Sequence, residues 1–147
     1  MTDREQSEIW ETFGLAENHL GSFEYWTVVL RPKQITPGSM VLILNRFATS
    51  MAELDPAEGA ELGSVCAAIE SVLTARLGME KINYLALMMV DPHLHFHVIP
   101  RYSAAVTVGD RHHVDASWPG PPDLAAPLDD DSLLPHLRRL LAFGDPR

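Results

Sequence analysis

The sequence predicts an α+β fold, and three observations lead to that prediction. Short apolar segments occur as two adjacent pairs with short links, an arrangement that favours antiparallel hairpins. A long segment between the two pairs carries the start, period and stop signals of a helix. The chain has 147 residues, of which 46% are hydrophobic, and this size and composition suit one core. We therefore expect a single domain over residues 1–147, with shorter helices near its two ends.

Residues 3–15 are predicted to form a short amphipathic helix. Ile9, Trp10 and Phe13 are spaced so that they share one face of such a helix. Gly14 is expected to interrupt it, because glycine has a low helix propensity.

The first hairpin is predicted from residues 23–30 and 39–44. The former range is rich in aromatic and β-branched residues, which are typical of strands. The latter is a nearly unbroken apolar run with the length of a buried strand. The intervening residues 31–38 contain prolines and a glycine that turn the chain.

The long helix has the clearest signals. Asp55 supplies an N-cap acceptor, Pro56 suits the first helical position, and Glu58 is an acid at the third. Gly78 is expected to end the helix. The apolar residues that recur between these ends at helical spacing are Leu62, Val65, Cys66, Ile69, Val72, Leu73 and Leu77.

The second hairpin is predicted from residues 82–89 and 93–99. The three residues between them include Asp91 and Pro92, a pair that favours a turn. Met88 and Met89 fall inside the first of these strands and are expected to pack against the core.

Residues 103–147 are predicted to form an irregular loop and a closing helix. The loop contains Trp118 followed by three prolines and a glycine, and we expect it to lie against the domain or a partner subunit. The helix is expected to begin near Asp131, since acidic residues favour the positive end of the helix dipole. Its apolar positions are Leu133, Leu134, Leu137 and Leu140.

Charge and cysteine content limit the partners and the compartment. The formal net charge of −9 opposes binding to long nucleic acids, whose phosphodiester backbone is normally held by Lys and Arg. No apolar run approaches the length that spans a membrane, and the polar start does not resemble a signal peptide. Cys66 is the single cysteine, so an intramolecular disulfide is excluded and a reducing compartment fits best. We therefore expect a cytoplasmic protein without a membrane partner.

Three histidines alternate along the second strand of the second hairpin. Successive side chains of a strand point to opposite faces, so His93, His95 and His97 are expected to project together. The strand is thus predicted to present a row of imidazoles to a cleft and an apolar row to the core. The residues expected in the apolar row are Leu94, Phe96 and Val98.

A row of imidazoles suits an anionic group such as a phosphate ester. Neutral rings donate or accept hydrogen bonds, and protonated rings add positive charge beside phosphate oxygens. An imidazole with an unperturbed pKa of about 6.5 is largely unprotonated near neutrality, so the central ring, His95, is able to attack phosphorus. A purely structural role is the weaker alternative, because packing several titratable rings together incurs desolvation and like-charge penalties.

A zinc site is the other alternative, since imidazole is a common zinc ligand. A strand rises about 3.3 Å per residue, which puts the Cα atoms of His93 and His97 about 13 Å apart. One ion is therefore expected to take two of the three rings at most. Further ligands, such as His112 or His113, would be needed to complete the site.

The segment around these histidines resembles the motif of the histidine triad (HIT) family, His-x-His-x-His-x-x with x mostly apolar. Pro100 and Arg101 extend the resemblance toward the dinucleoside polyphosphate hydrolase branch of the family. Residues 37–43 are similar to the family's Pro-Gly-His-x-apolar strand, and residues 81–84 add to the match. The resemblance covers roughly residues 23–102.

The resemblance implies a HIT-like α+β fold with an antiparallel sheet of about five strands, usually assembled as a homodimer. It also implies a protein that binds purine nucleotides or dinucleoside polyphosphates and hydrolyses or transfers a nucleotidyl group. His95 would be the nucleophile that forms a nucleotidyl-histidine intermediate, and His93 and His97 would orient it and the phosphate. No metal or other cofactor is required for that chemistry.

The sequence departs from the family pattern near the motif. Ser39 stands where the family often has a further histidine, and Met89 and Val90 replace a polar pair that usually contacts the leaving group. Arg31 lies roughly where relatives present Asn or Asp to the ribose, and Asn83 is a further polar candidate. Ser39, Arg31 and Asn83 are therefore the candidate nucleotide-binding residues. The alternative function is a nucleotide-binding module with little catalysis.

Overall fold

A five-stranded antiparallel sheet forms the centre of the structure, a computed structural model that describes residues 8–143. In spatial order the strands are β1 (His19–Ser22), β2 (Trp26–Leu30), β3 (Met40–Leu44), β5 (His95–Arg101) and β4 (Lys81–Leu85). The antiparallel pairings β2–β3 and β4–β5 are the two predicted hairpins. The predicted α+β fold with an antiparallel sheet of about five strands is confirmed.

Four α-helices accompany the sheet within the described residues. They are α1 (Ile9–Thr12), α2 (Leu15–Asn18), α3 (Pro56–Leu77) and α4 (Leu133–Leu141). A 3₁₀ helix (Met51–Glu53) and a two-stranded sheet of β6 (Val106–Val108) and β7 (Arg111–His113) complete the regular elements of this part of the chain. No helix between residues 8 and 143 is long and apolar enough to cross a membrane.

The long helix α3 follows the predicted signals at both ends. The backbone N–H of its N-cap residue, Asp55, donates to Glu58 Oε1 over 2.8 Å in a capping box, and Pro56 is the first helical residue. Gly78 ends the helix with a φ of 68°, a left-handed conformation that glycine adopts without steric cost. The fully buried residues that pack the helix on one face of the sheet are Val65, Ile69 and Leu73.

The other face of the sheet is covered by the amino-terminal segment. The predicted helix over residues 3–15 is wrong as a single element, because Gly14 adopts a φ of 63° and separates α1 from α2. Residues 3–7 of that prediction lie outside the described residues. The members of the apolar cluster on this face are Ile9, Trp10, Val29, Val41 and Ile43.

Strand boundaries differ from the prediction in both hairpins. Residues 23–25 form a turn, and β1 before it was not predicted because its four residues include only one large apolar side chain. The predicted strand 82–89 ends at Leu85, and residues 86–94 form a loop. The following strand begins at His95. This loop leads directly into the row of three histidines.

The segment that follows β7 lies beside the sheet edge formed by β4. Trp118 and Pro119 line a surface groove together with Arg101. Arg101 Nε also donates to Asp115 Oδ2 over 2.7 Å, a buried ion pair that ties the segment after β7 to β5. The closing helix α4 confirms the prediction of a helix beginning near Asp131, whereas the β6–β7 hairpin was not predicted.

Candidate active site

Strand β5 carries two of the three histidines in the interior of the sheet. Pairing with β3 sets His95 and His97 opposite two residues of the apolar cluster under α1. The intervening Phe96 packs against the core on the α3 side. His93 precedes the strand, but its ring lies 6.1 Å from that of Trp10 and therefore reaches the α1 side as well. The three imidazoles share one face, as the alternation predicts.

His93 is engaged by the chain around it. Its Nε2 lies 2.6 Å from the carbonyl oxygen of Leu44, and its Nδ1 accepts the backbone N–H of Ala48 over 3.4 Å. These contacts set the tautomer, because a carbonyl requires the proton on Nε2. The ring stacks on Phe47 with centroids 5.3 Å apart, and the residue is 1% exposed. His93 is therefore held inside the fold, and both of its ring nitrogens are already hydrogen-bonded to the backbone.

His95 is held in one tautomer by the backbone just before it. Its Nδ1 lies 2.6 Å from the carbonyl oxygen of His93. Because a carbonyl only accepts hydrogen bonds, Nδ1 carries the proton and Nε2 keeps its lone pair in the neutral ring. Burial lowers the pKa of His95 below its ordinary value of 6.5. The ring is therefore neutral near pH 7 and has a nucleophilic nitrogen.

His97 is oriented by Arg31, the residue that directly follows β2. Arg31 Nε donates to His97 Nδ1 over 3.3 Å, which leaves the ring proton on Nε2. Burial, together with the positive charge of Arg31 and the neighbouring His95, lowers the pKa of His97 to about 4. The His95 and His97 ring centroids are 5.0 Å apart. A nitrogen that accepts and an N–H that donates are thus provided by adjacent rings.

Phe13 contacts both of these rings. Its centroid lies 6.2 Å from that of His95 and 5.9 Å from that of His97. The sequence places Phe13 on an apolar helix face, and the structure puts it at the C-cap of α1, beside the imidazoles. A half-buried aromatic side chain in this position restricts both rings and contributes to their desolvation.

A cleft of about 350 Å³ opens beside His95 and His97. This volume lies in the range of small-molecule sites, about 300–1,000 Å³. Arg31 lies on the same wall, and Phe13 and Leu124 add apolar surface. The cleft offers room for a phosphate group next to an unprotonated imidazole nitrogen.

The loop before the histidines forms a further part of the cleft wall. Its residues 87–90, here called the apolar loop, are Leu87, Met88, Met89 and Val90. Met89 is 85% exposed and Val90 is 102% exposed, so the expectation that Met89 packs against the core is wrong. Met88 has a φ of 44°, which L-residues rarely adopt and which is incompatible with a strand. The apolar composition of residues 87–90 is typical of a strand, which is why the predicted strand extended to Met89.

Ser39 lies away from the cleft. It is fully buried, and its Oγ donates to the carbonyl oxygen of Thr36 over 2.7 Å. The same oxygen accepts the backbone N–H groups of Ile35 and Thr36 over 3.2 and 3.1 Å. In the described structure, Ser39 therefore organises the turn before β3, and its role toward a nucleotide stays a prediction.

Asn83 also lies apart from His95. Its Oδ1 accepts a hydrogen bond from Arg101 Nη1 over 2.8 Å, and it lines the groove beside β4. Of the three predicted nucleotide-binding residues, the structure thus brings only Arg31 to the described part of the cleft. The contribution of Asn83 to nucleotide binding stays a prediction.

The further histidines considered as zinc ligands are on β7. His113 Nε2 lies 3.4 Å from Asp130 Oδ2, and His112 Nδ1 lies 2.8 Å from Thr107 Oγ1. Neither lines the cleft that contains His95. Among residues 8–143, no group of three or more His, Cys, Asp or Glu side chains is arranged to hold a metal ion.

A family model agrees with this geometry. The model described as HIT domain matches residues 15–104, which contain the sheet, α3 and all three histidines. No curated protein shows significant sequence similarity to the chain.

Solved structures share the fold over most of the chain. A histidine triad protein from Bradyrhizobium japonicum is 25% identical, with a TM-score of 0.64, and the match covers 87% of this chain and 94% of that one. A histidine triad (HIT) protein from Sinorhizobium meliloti is 25% identical, with a TM-score of 0.63 and coverage of 86% and 90%. For a histidine triad protein from Marinobacter aquaeolei the identity is 25%, the TM-score 0.61 and the coverage 89% and 93%.

Proposed function

This chain belongs to the HIT-domain family, and we propose that it hydrolyses or transfers nucleotidyl groups through a covalent intermediate on His95. The observation that carries the proposal is the 2.6 Å contact between His95 Nδ1 and the carbonyl oxygen of His93. It leaves Nε2 of His95 unprotonated on a residue that lines a cleft. The substrate class is a phosphate ester, phosphoramidate or dinucleoside polyphosphate of a purine nucleotide.

The proposed reaction has two steps. In the first, the lone pair of His95 Nε2 attacks phosphorus, a P–N bond forms, and the bond to the leaving group breaks. The leaving atom takes the bonding electron pair and a proton from water. In the second, water attacks phosphorus, the P–N bond breaks, the electron pair returns to Nε2, and the water proton passes to solvent. An alcohol or amine in place of water gives transfer instead of hydrolysis.

His97 and Arg31 are suited to hold the phosphoryl group during both steps. The Nε2–H of His97 is a donor, and Arg31 brings positive charge to the same wall of the cleft. Donors that are already oriented stabilise charge that develops on the phosphoryl oxygens without reorganising during the reaction. His93 is a positioning residue, since its carbonyl holds His95 while its ring is anchored to Leu44.

Family membership supports the proposed ligand and assembly, and the single cysteine, Cys66, supports the proposed compartment. We expect a purine nucleotide or dinucleoside polyphosphate as the ligand, a homodimer as the assembly and the cytoplasm as the compartment. The two proposed steps use protein groups and water, and we propose no cofactor for them.

Steady-state hydrolysis of nucleoside phosphoramidates and dinucleoside polyphosphates tests the proposal. His95→Ala removes the nucleophile and is expected to lower kcat on the order of a thousandfold or more. His112→Ala, an exposed histidine on β7, is the matched control and should keep wild-type turnover. Equal turnover by wild type and His95→Ala would exclude His95 from the chemistry.

Nucleotide binding with little turnover is the second candidate function. The apolar loop favours it, because its side chains provide no hydrogen-bond donor for a leaving group. Calorimetry with purine nucleotides, combined with the turnover assay, separates the two functions. Binding by a wild-type protein that leaves every substrate intact would support the second candidate and contradict the first.

A further inference from the structure

The apolar loop has the properties of a binding surface. Met89 and Val90 are 85% and 102% exposed, and Leu87 is 48% exposed. Large apolar side chains rarely cluster in water without a function. All three line the cleft that contains His95, and Leu124 continues the apolar surface. A ligand group that leaves water against this loop would gain free energy in proportion to the apolar area it buries.

The charges of the cleft limit what that group is. Among the described residues that line it, Arg31 is the only Lys or Arg, whereas Glu8 and Asp91 supply two carboxylates. One phosphoryl anion is matched by Arg31. Additional anionic groups would meet the two carboxylates in a partly desolvated space, where repulsion is stronger than in bulk water. The net charge of −9 adds to this bias.

We propose that the preferred substrate carries a single phosphoryl anion at His95 and an uncharged, apolar leaving group that packs against the apolar loop. This inference rests on the proposed function and narrows its substrate class. It favours nucleoside monophosphates joined to an apolar amine or alcohol. It disfavours dinucleoside polyphosphates, whose leaving group is a multiply charged nucleotide.

The leaving group departs in the first step of the reaction. As His95 Nε2 forms its bond to phosphorus, the P–N or P–O bond breaks toward the leaving nitrogen or oxygen. That atom takes the bonding electron pair and a proton from water, and the apolar part of the group stays against the loop until release. Because no side chain of residues 87–90 donates a proton, recognition there depends on apolar contact rather than on hydrogen bonding.

Two matched substrates isolate this contact. Adenosine 5′-phosphoramidates of hexylamine and of 6-aminohexanoate have the same scissile bond and similar chain length, but only the second leaving group ends in a carboxylate. The wild-type protein is expected to show a kcat/KM on the order of tenfold higher for the hexylamine substrate. Both substrates also report covalent labelling of His95 by mass spectrometry.

Met89→Lys tests whether the loop is responsible. The substitution removes apolar surface and adds a positive charge, so it is expected to reduce the preference for the hexylamine substrate roughly tenfold. Met51→Lys is the matched control, since Met51 is also exposed, at 45%, but lies in the 3₁₀ helix and does not line the cleft. It adds the same charge and should leave the preference unchanged.

The possible outcomes separate this inference from the proposed function. Labelling of His95 by both substrates with equal kcat/KM, or with a preference for the carboxylate, would overturn the inference and leave the proposed function standing. Equal shifts in Met89→Lys and Met51→Lys would overturn it as well. Absence of both turnover and labelling would overturn the proposed function and the inference together.

Discussion

Arg31 Nε donates a hydrogen bond to His97 Nδ1 over 3.3 Å. A nitrogen that accepts from a guanidinium cannot also carry a proton, so this contact keeps His97 neutral and directs its only N–H toward Nε2. The charge of Arg31 is also one reason why the pKa of His97 falls to about 4. The neutral state of His97 is thus favoured by the fold itself.

Acidification is expected to destabilise the protein through His97. The unfolded chain takes up a proton near the ordinary pKa of 6.5, whereas the folded ring resists protonation until its pKa of about 4. Between these values the unfolded state binds more protons, so the free energy of unfolding decreases as the pH decreases. The slope for this group reaches about 1.4 kcal/mol per pH unit, and its contribution is constant above pH 6.5.

Urea denaturation of wild type and His97→Gln between about pH 5 and pH 7 measures this slope. The variant lacks the titrating ring and is expected to lose less stability on acidification. Parallel curves for the two proteins would mean that His97 has no depressed pKa in the fold.

Removing the guanidinium is expected to raise the pKa of His97. Arg31→Gln eliminates the positive charge, but burial is the larger cause of the shift and persists, so the pKa should lie between about 4 and 6.5. Arg31→Lys keeps a charge and should give a smaller rise. NMR titration of the ring protons measures both variants. An unchanged pKa in Arg31→Gln would show that the two side chains do not interact in solution.

The ring of His93 is expected to be required for stability. His93→Ala leaves the buried carbonyl oxygen of Leu44 without its donor and removes the stacking on Phe47. The loss should be roughly 2–4 kcal/mol, since an unsatisfied buried polar group and a cavity both contribute. His19→Ala, at an exposed histidine, is the control and should change stability by less than about 0.5 kcal/mol. A His93→Ala protein as stable as this control would refute the assigned anchor.

Breaking the buried ion pair of Arg101 is expected to cost still more. Asp115→Ala leaves a buried guanidinium without its carboxylate, a change that typically costs about 3–5 kcal/mol. Arg111→Ala is the control, because its side chain is 63% exposed and lies 3.9 Å from Asp130. Thermal and urea unfolding measure both. Equal, small effects would indicate that the segment after β7 is not held by this pair.

Short-range signals predicted the long helix and the histidine row. The cap residues Asp55 and Gly78 act within one turn of the helix ends, and strand alternation alone puts His95 and His97 on one face. Such features depend on a few neighbouring residues, and no distant contact overrides them in this structure.

The apolar loop and the placement of Asn83 depend on information that is not local. Met88, Met89 and Val90 have a composition suited to a strand, but β4 ends at Leu85, and the positive φ of Met88 shows that the chain is no longer extended there. Asn83 is directed by Arg101, which lies on the neighbouring strand. Neither arrangement can be read from residues adjacent in sequence.

A covalent bond between the Nε2 atom of His95 and phosphorus is the key intermediate of the proposed reaction, and mass spectrometry can detect it. Wild-type protein is mixed with an adenosine 5′-phosphoramidate and denatured rapidly in alkali, where a P–N bond to imidazole survives. We expect an added nucleotidyl mass that maps to His95 and is absent from His95→Ala. Turnover without any adduct, or an adduct that maps to another residue, would contradict it.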